Sequence, residues 1–219
     1  MTVIVLISTS LFLVASVGDK WDDCKAFISA IGRNPKEMGA ILPSSKDLAE
    51  KITRLVMCKG APVAILEVGA GTGSFSAEII KKMRPQDQLV LIELDPELCK
   101  LLKQKFGSYK NVRILCMSFL DWAPEHKYDF IVSGIPHHNL ETEILRQFLK
   151  HYRVLLKKGG IVSFFEYIGA STVRSVTAWF KDDSPNSRML KYFASRFAFQ
   201  KDHAVLNVPP ARVHHLRIS

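Results

Sequence analysis

The chain of 219 residues is poor in the features that announce metal or disulfide chemistry. Its four cysteines, Cys24, Cys58, Cys99 and Cys116, share no Cys-x-x-Cys spacing, so the sequence offers neither a zinc knuckle nor a disulfide framework. A reduced, cytosol-facing setting and a site without metal are the expectation. No run of five or more like charges, no internal repeat and no low-complexity tract occurs. Charge is missing altogether from Met1 to Gly18, where Val3-Ile4-Val5-Leu6-Ile7 and Leu11-Phe12-Leu13-Val14 stand. A secretory signal would carry Lys or Arg at its start, and a spanning helix wants about 20 apolar residues, so this stretch is marginal for both. An uncleaved membrane anchor or interfacial helix ranks first for it, a packed extra element second, and a signal peptide or wrongly assigned start third.

What is present is one core and a surplus of positive charge. Apolar residues make up 47% of the chain, enough for one sizeable core and short of two catalytic domains. The expected organisation is an apolar segment over residues 1–18, helices covering a site over 19–58, and the main domain over 59–219. Lys and Arg number 30 against 21 acids, a net +9, which favours an anionic partner, either a phospholipid membrane surface or RNA. Oligomeric state leaves no trace in the sequence.

Between Trp21 and Ile31 the apolar Trp21, Cys24, Phe27, Ile28 and Ile31 recur at helical spacing, an amphipathic helix that either lies on a membrane or packs on its own domain. Ser44 and Ser45 open a second helix carrying Leu48, Ile52, Leu55 and Val56. Short apolar runs then alternate with amphipathic stretches. Strands are expected at Val63 to Val68, Leu89 to Glu93, Val112 to Cys116, Tyr128 to Ser133 and Ile161 to Ile168. Helices are expected at Ser74 to Met83, Pro96 to Phe106, Leu140 to Leu156, near Thr172 to Phe180, and Asn186 to Phe197. Lys157-Lys158-Gly159-Gly160 suits a helix end. The fold class is therefore α/β, Rossmann-like, with a mostly parallel seven-stranded sheet, helices on both faces, and one antiparallel edge strand from a terminal hairpin around Pro209-Pro210.

The first strand runs into Glu67-Val68-Gly69-Ala70-Gly71-Thr72-Gly73-Ser74 and then a helix. Alternate glycines let backbone approach a ligand closely. A dinucleotide fingerprint would need glycine at position 74, and Glu67 would repel a pyrophosphate. S-adenosylmethionine, with an ammonium and a sulfonium, suits that acid better, and the pattern is similar to motif I of the class I methyltransferases. Glu93 at the end of the second strand is placed to accept ribose hydroxyls, with Asp95 in reserve or capping the helix at Pro96. The third strand ends at Cys116-Met117-Ser118-Phe119, where enzymes of that class present an acid to adenine and this chain has Ser118, with Asp121 three residues beyond.

After the fourth strand comes Ser133-Gly134-Ile135-Pro136-His137-His138. Methyltransferases acting on aromatic amines carry an Asn or Asp, Pro-Pro and an aromatic there, and this chain has neither amide nor stacked aromatic. With Gly39-Ala40-Ile41-Leu42-Pro43-Ser44-Ser45 and Asn207-Val208-Pro209-Pro210-Ala211-Arg212-Val213, that segment resembles the bacterial phospholipid N-methyltransferases over about Phe27 to Arg217. More distantly it resembles the rRNA adenine dimethyltransferases. The resemblance implies a membrane-docking N-terminal helix, S-adenosylmethionine held by Ser44, Ser45, Glu67, Gly69, Ala70, Gly71, Thr72, Gly73, Glu93, Leu94, Ser118, Phe119 and Ser133, and methylation of a phosphatidylethanolamine-type amine. RNA adenine methylation and a non-catalytic binding module are the alternatives. A lipid amine with a pKa near about 10 must lose its proton before attack, and His137, Glu166 and Tyr167 are the candidates by position. Trp122 and Tyr167 are candidates to hold a quaternary product by cation–π attraction, and Arg212 and Lys201 to meet a phosphate.

Overall fold

The computed structural model of the chain describes residues 44–168, 184–207 and 210–218. The apolar segment 1–18, the amphipathic stretch Trp21 to Ile31 and the helix expected near Thr172 to Phe180 lie outside them. In chain order the elements are α1 (Lys46–Ile52), β1 (Ala64–Val68), α2 (Ser74–Ile80), β2 (Gln88–Glu93), α3 (Pro96–Phe106), β3 (Val112–Cys116), β4 (Tyr128–Ser133), α4 (Thr142–Leu155), β5 (Leu156–Tyr167), α5 (Pro185–Phe197), β6 (Ala198–Ala204) and β7 (Ala211–Arg217). Short 3-10 turns stand at Phe119–Asp121 and His137–Asn139.

Local chemistry explains where the helices start. Asp95 caps α3 by accepting from the N–H groups of Glu97 at 2.8 Å and Leu98 at 3.3 Å, with Pro96 following at the first helical position. Ser45 caps α1 by accepting from Leu48 N–H at 3.2 Å. The seven strands form one sheet in the order β3-β2-β1-β4-β5-β7-β6. The first five run parallel; β7 pairs antiparallel with β5, and β6 antiparallel with β7. The terminal hairpin thus supplies the antiparallel strand at this side of the sheet, one place in from the edge.

Strand residues alternate between two buried layers. Leu66, Val68, Ile92 and Ile131 pack with Phe148 and Tyr152 of α4 and Leu190 and Phe193 of α5. Ile65, Leu89, Leu91 and Val132 face the other way, onto Leu48 and Ile52 of α1, Phe75 and Ile79 of α2, and Leu102 of α3. Because period 2 sends neighbours to opposite faces, both must be covered by helices, and burial of each large side chain contributes about 1.5–3 kcal/mol.

One expected boundary is corrected. The Lys157-Lys158-Gly159-Gly160 segment does not end a helix; α4 stops at Leu155 and these residues begin β5. Pairing with the chain end outweighs the local cue, since Gly159 N–H donates to Ile218 O at 2.7 Å and Ile218 N–H to Gly160 O at 3.0 Å. Gly159 sits at φ 78°, and the register against β4 shifts there.

The β5–β7–β6 side is tied to the turn after α1 by a polar chain. Ser163 Oγ lies 2.7 Å from His215 Nδ1, His215 Nε2 lies 3.1 Å from Asp202 Oδ2, and Arg54 meets Asp202 at 2.9 Å. Ser45 N–H also donates to Asn207 Oδ1 at 2.9 Å, so two of the segments that carry the family resemblance meet in space.

The tightest approach joins β1 to β4. Gly134 N–H donates to Val68 O at 2.8 Å, and a Cβ built on Gly134 would lie 2.4 Å from Gly69 O. That neighbour is backbone, so neither side can give way by changing a rotamer. Gly134→Ala is expected to destabilise the fold by about 1–3 kcal/mol, read as a lower denaturation midpoint in urea with an unchanged slope.

Candidate functional site

β1 and β4 lie side by side, yet β1 leads on toward β2 and β4 toward β5. Connections leaving in opposite directions open a crevice at the carboxyl ends of those strands, the place where open α/β sheets bind ligands. The loop after β1 lines it. Gly69 and Ala70 N–H both donate to Ile92 O, at 2.8 and 3.2 Å, which folds the loop back over β2. Gly71, at φ 56°, has open space where a side chain would stand. Gly73 caps α2 at φ 86°, Thr72 Oγ1 lies 3.5 Å from Ser74 Oγ, and Lys105 Nζ donates to Thr72 O at 2.8 Å.

Glu93 is held in place by backbone. Its Oε2 accepts from Gly71 N–H at 2.7 Å, and its Oε1 from Leu94 N–H at 2.7 Å and Asp95 N–H at 3.0 Å. A carboxylate has about four acceptor positions, so it is oriented with capacity left for a ligand hydroxyl. Glu67 is the opposite case. It is fully buried, its Oε2 accepts from Ser76 Oγ at 2.7 Å, and its Oε1 has no partner. Burial pushes its carboxyl up to about 8 from 4.5, the Ser76 hydroxyl opposes this, and Glu93 adds repulsion. The carboxyl is therefore protonated near neutral pH until a cation approaches.

Open space above Gly71, an oriented ribose-type acceptor at Glu93 and an orphaned acid oxygen at Glu67 together fit S-adenosylmethionine, which brings a diol and an ammonium. Ser45 spends its hydroxyl on the α1 cap, and Ser44 stands just before it, half-buried. Ser118 accepts from Leu120 N–H at 3.3 Å, capping its own 3-10 turn. Phe119 is 4% exposed and packs on Phe148, His151 and Tyr152 with centroids 4.7–5.2 Å apart, inside the core. Ser133 is buried, accepting from Tyr152 OH at 2.9 Å and from Ile135 N–H at 3.4 Å.

At the acceptor side the structure separates the sequence candidates. His137 is fully buried, 3.0 Å from Tyr152 OH through Nε2, and edged against Phe164. Since Tyr152 donates onward to Ser133, His137 Nε2 is the donor and Nδ1 is left without a partner. Burial lowers its imidazole to about 3, with further lowering from His138 and His214 against the pull of Glu166. It is a neutral core ring with no route to solvent. Tyr167 packs on Phe165 at 5.1 Å, on the face of β5 opposite Glu166.

Glu166 instead gathers groups that sequence reasoning passed over. Its Oε2 lies 3.4 Å from His214 Nε2 and 3.8 Å from His138 Nε2, and Arg212 stands opposite it in the β5–β7 register. His214, Arg212 and His138 hold its carboxyl below the usual range against the upward push of burial. His214 is stacked on Phe164 at 5.1 Å. The signal was present in the His137-His138 doublet and in Arg212 and His214, which share one face of β7, but only the strand register joins them to Glu166. Trp122 is removed from any product cage. Its Nε1 donates to Tyr128 OH at 3.1 Å beneath Arg113, and it lines a depression with Gln88 and Val112 at the amino ends of the strands. Lys201 is exposed on β6, paired with His214 in the β6–β7 register. Among the described residues no three His, Cys, Asp or Glu side chains are grouped to hold a metal, and no helix is long and apolar enough to cross a membrane.

Residues 65–160 match the family described as methyltransferase domain. The chain is 30% identical over 119 residues to malonyl-(acyl-carrier protein) O-methyltransferase 1 of Ilyobacter polytropus, covering 54% of this chain and 43% of that protein. It is 24% identical over 140 residues to the ornithine lipid N-methyltransferase of Singulisphaera acidiphila, covering 61% of this chain and 72% of that one. The chain thus spans under half the length of the first relative. In structure it is similar to the N-methyltransferase NodS of Bradyrhizobium japonicum bound to S-adenosylhomocysteine, with TM-score 0.61, 13% identity, and 91% of this chain and 98% of that chain covered.

The Glu67 carboxyl sets a measurable pH dependence. Its folded value is raised, so between about 4.5 and about 8 the native state holds a proton that the unfolded chain has released. Its stabilising contribution is complete below that window and is lost as pH rises through it, with a slope of up to about 1.4 kcal/mol per pH unit. Denaturation of the ligand-free protein at several pH values is expected to show this loss, and Glu67→Gln to remove it.

Proposed function

We propose that the chain is a class I S-adenosylmethionine-dependent methyltransferase, a reading supported by the methyltransferase-domain match over residues 65–160 and by the fold, and that it methylates the amine of a phosphatidylethanolamine-type lipid at a membrane surface. The observation that carries this reading is the acceptor side of the crevice: a carboxylate at Glu166 flanked by two imidazoles within 4 Å, with Ser133-Gly134-Ile135-Pro136 at the end of β4 in place of the amide, Pro-Pro and aromatic of aromatic-amine methyltransferases. The similarity to an ornithine lipid N-methyltransferase supports it, as does the net charge of +9, which draws a protein toward anionic lipid.

The bound cofactor supplies an electrophilic methyl on a sulfonium. The remaining work falls to the chain. The loop from Gly69 to Gly73 and Glu93 hold the nucleoside in one orientation, and positioning of this kind supplies much of the acceleration in a displacement reaction. Glu67, whose Oε1 has no partner within the protein, would face the cofactor's ammonium end. The substrate ammonium must become a neutral amine before it can attack, and Glu166 is the ionised acceptor for that proton. His138 and His214 lie against its Oε2.

Purified full chain with methyl-labelled cofactor is expected to label phosphatidylethanolamine in mixed anionic vesicles and to leave rRNA unlabelled. Label in rRNA adenine with none in lipid would replace the reading, and absence of cofactor binding in calorimetry would reduce the protein to a binding module. Within the lipid reading, Glu166→Gln is expected to lower kcat about 100-fold while the Kd for S-adenosylhomocysteine is unchanged.

A further inference from the structure

Two of the cysteines meet beside the residue that holds the nucleoside. Cys99 lies in the first turn of α3 and Cys116 ends β3. Cys99 Sγ donates to Glu93 O at 3.4 Å, and Met117 N–H donates to the same carbonyl at 3.0 Å. Cys116 is the direct register partner of Glu93 across the β2–β3 pair. The two thiols line one surface depression with Pro96, Lys100, Lys103 and Gln104. Their exposures differ: Cys99 is 2% exposed, while Cys116 opens to solvent. Burial, and then the neighbouring thiol, push the Cys99 thiol up, while Lys103 pulls the other way, so Cys99 remains a protonated thiol beside an accessible one.

We propose that Cys99 and Cys116 form a peroxide-responsive dithiol whose closure to a disulfide weakens cofactor binding at Glu93. The Cys116 thiolate attacks one oxygen of hydrogen peroxide, the O–O bond breaks, and a sulfenic acid and hydroxide result. Cys99 sulfur then attacks the sulfenic sulfur, its proton joins the departing hydroxyl as water, and the S–S bond forms; peroxide is reduced and the two thiols are oxidised. Dithiol reductants reverse the change by exchange. Such a bond in a chain without a disulfide framework is a transient, signalling one.

The consequence follows from what Cys99 leaves. The disulfide has no S–H to donate to Glu93 O, and it draws the first turn of α3 toward β3. That turn is capped by Asp95, and the Leu94 and Asp95 N–H groups orient the Glu93 carboxylate. Loss of a hydrogen bond of this kind corresponds to about a threefold loss of affinity. This second half of the proposal rests on the reading of Glu93 as a cofactor holder, whereas disulfide closure does not.

The full-length protein is treated with stoichiometric hydrogen peroxide, quenched by thiol alkylation, digested without reduction and mapped by mass spectrometry. A peptide pair joined through Cys99 and Cys116, with mass lower by two hydrogens, is expected; it persists in Cys58→Ser and is absent from Cys99→Ser and Cys116→Ser. A bond through Cys24 or Cys58 instead, or stable sulfinic acid on Cys116 with Cys99 still reduced, overturns the proposal. Calorimetric titration with S-adenosylhomocysteine is expected to show about threefold weaker binding in the oxidised protein, restored by dithiothreitol. Equal affinity in both states removes the regulatory half. Failure of the reduced protein to bind the nucleoside at all overturns the cofactor reading, while the joined peptide still establishes the dithiol.

Discussion

The contact on which the site depends is between two backbones. Gly134 lies so close to Gly69 O that one added carbon would stand at 2.4 Å, and the β4 exit is fastened by its own N–H to Val68 O. Because β1 and β4 diverge from this point, their separation fixes the width of the crevice and the height of the loop above it. Gly69 is constrained in turn, with φ 70° and Ile135 Cγ1 only 2.6 Å from where its Cβ would be. Ile135 is thereby pressed toward the loop, and the next residues curl into the 3-10 turn that sends His137 inward and leaves His138 beside Glu166. The placement of the acceptor-side groups follows from the closeness of two glycines.

Two acids less than one turn of sheet apart are treated in opposite ways by their surroundings. Glu93 meets three backbone N–H groups, which hold its carboxylate in one orientation. Glu67 has one hydroxyl and no solvent, so desolvation governs it and the proton stays. Proximity to Glu93 adds to burial in holding that proton on Glu67.

The sheet was legible in the sequence because alternation of short apolar runs with amphipathic stretches has a single economical solution. The strands at Val112 to Cys116 and Tyr128 to Ser133 and the helix at Pro96 to Phe106 fall where the pattern puts them. The Gly-rich loop was legible for the same reason, since its chemistry is contiguous along the chain. The parts that were not legible depend on contacts between distant segments. Lys157 to Gly160 look like a helix end until Ile218 pairs with them. Trp122 reads as a residue at a strand's carboxyl end until the connection turns back and carries it to the amino ends of β2 and β3. His138 and His214 lie far apart in sequence; the β5–β7 register brings His214 to the Glu166 carboxylate, and the turn after β4 brings His138.

The connection between β3 and β4 accounts for a further group of features. Residues 117–127 hold a single 3-10 turn where a full helix would cover the edge strand. Ser118 must therefore act as the cap of that turn, accepting from Leu120 N–H, and its hydroxyl is drawn away from the position where an acid would meet adenine. The same brevity leaves Cys116 open to solvent, while the preceding strand carries only half-buried or exposed residues. With less to grip a base at β3, the proposed cofactor site would rest more heavily on Glu93. The structure stiffens that residue at both ends, its carboxylate by three amides and its carbonyl by Met117 N–H and Cys99 Sγ. One of those supports is a thiol, so the proposed dithiol would act on the same carbonyl that steadies Glu93.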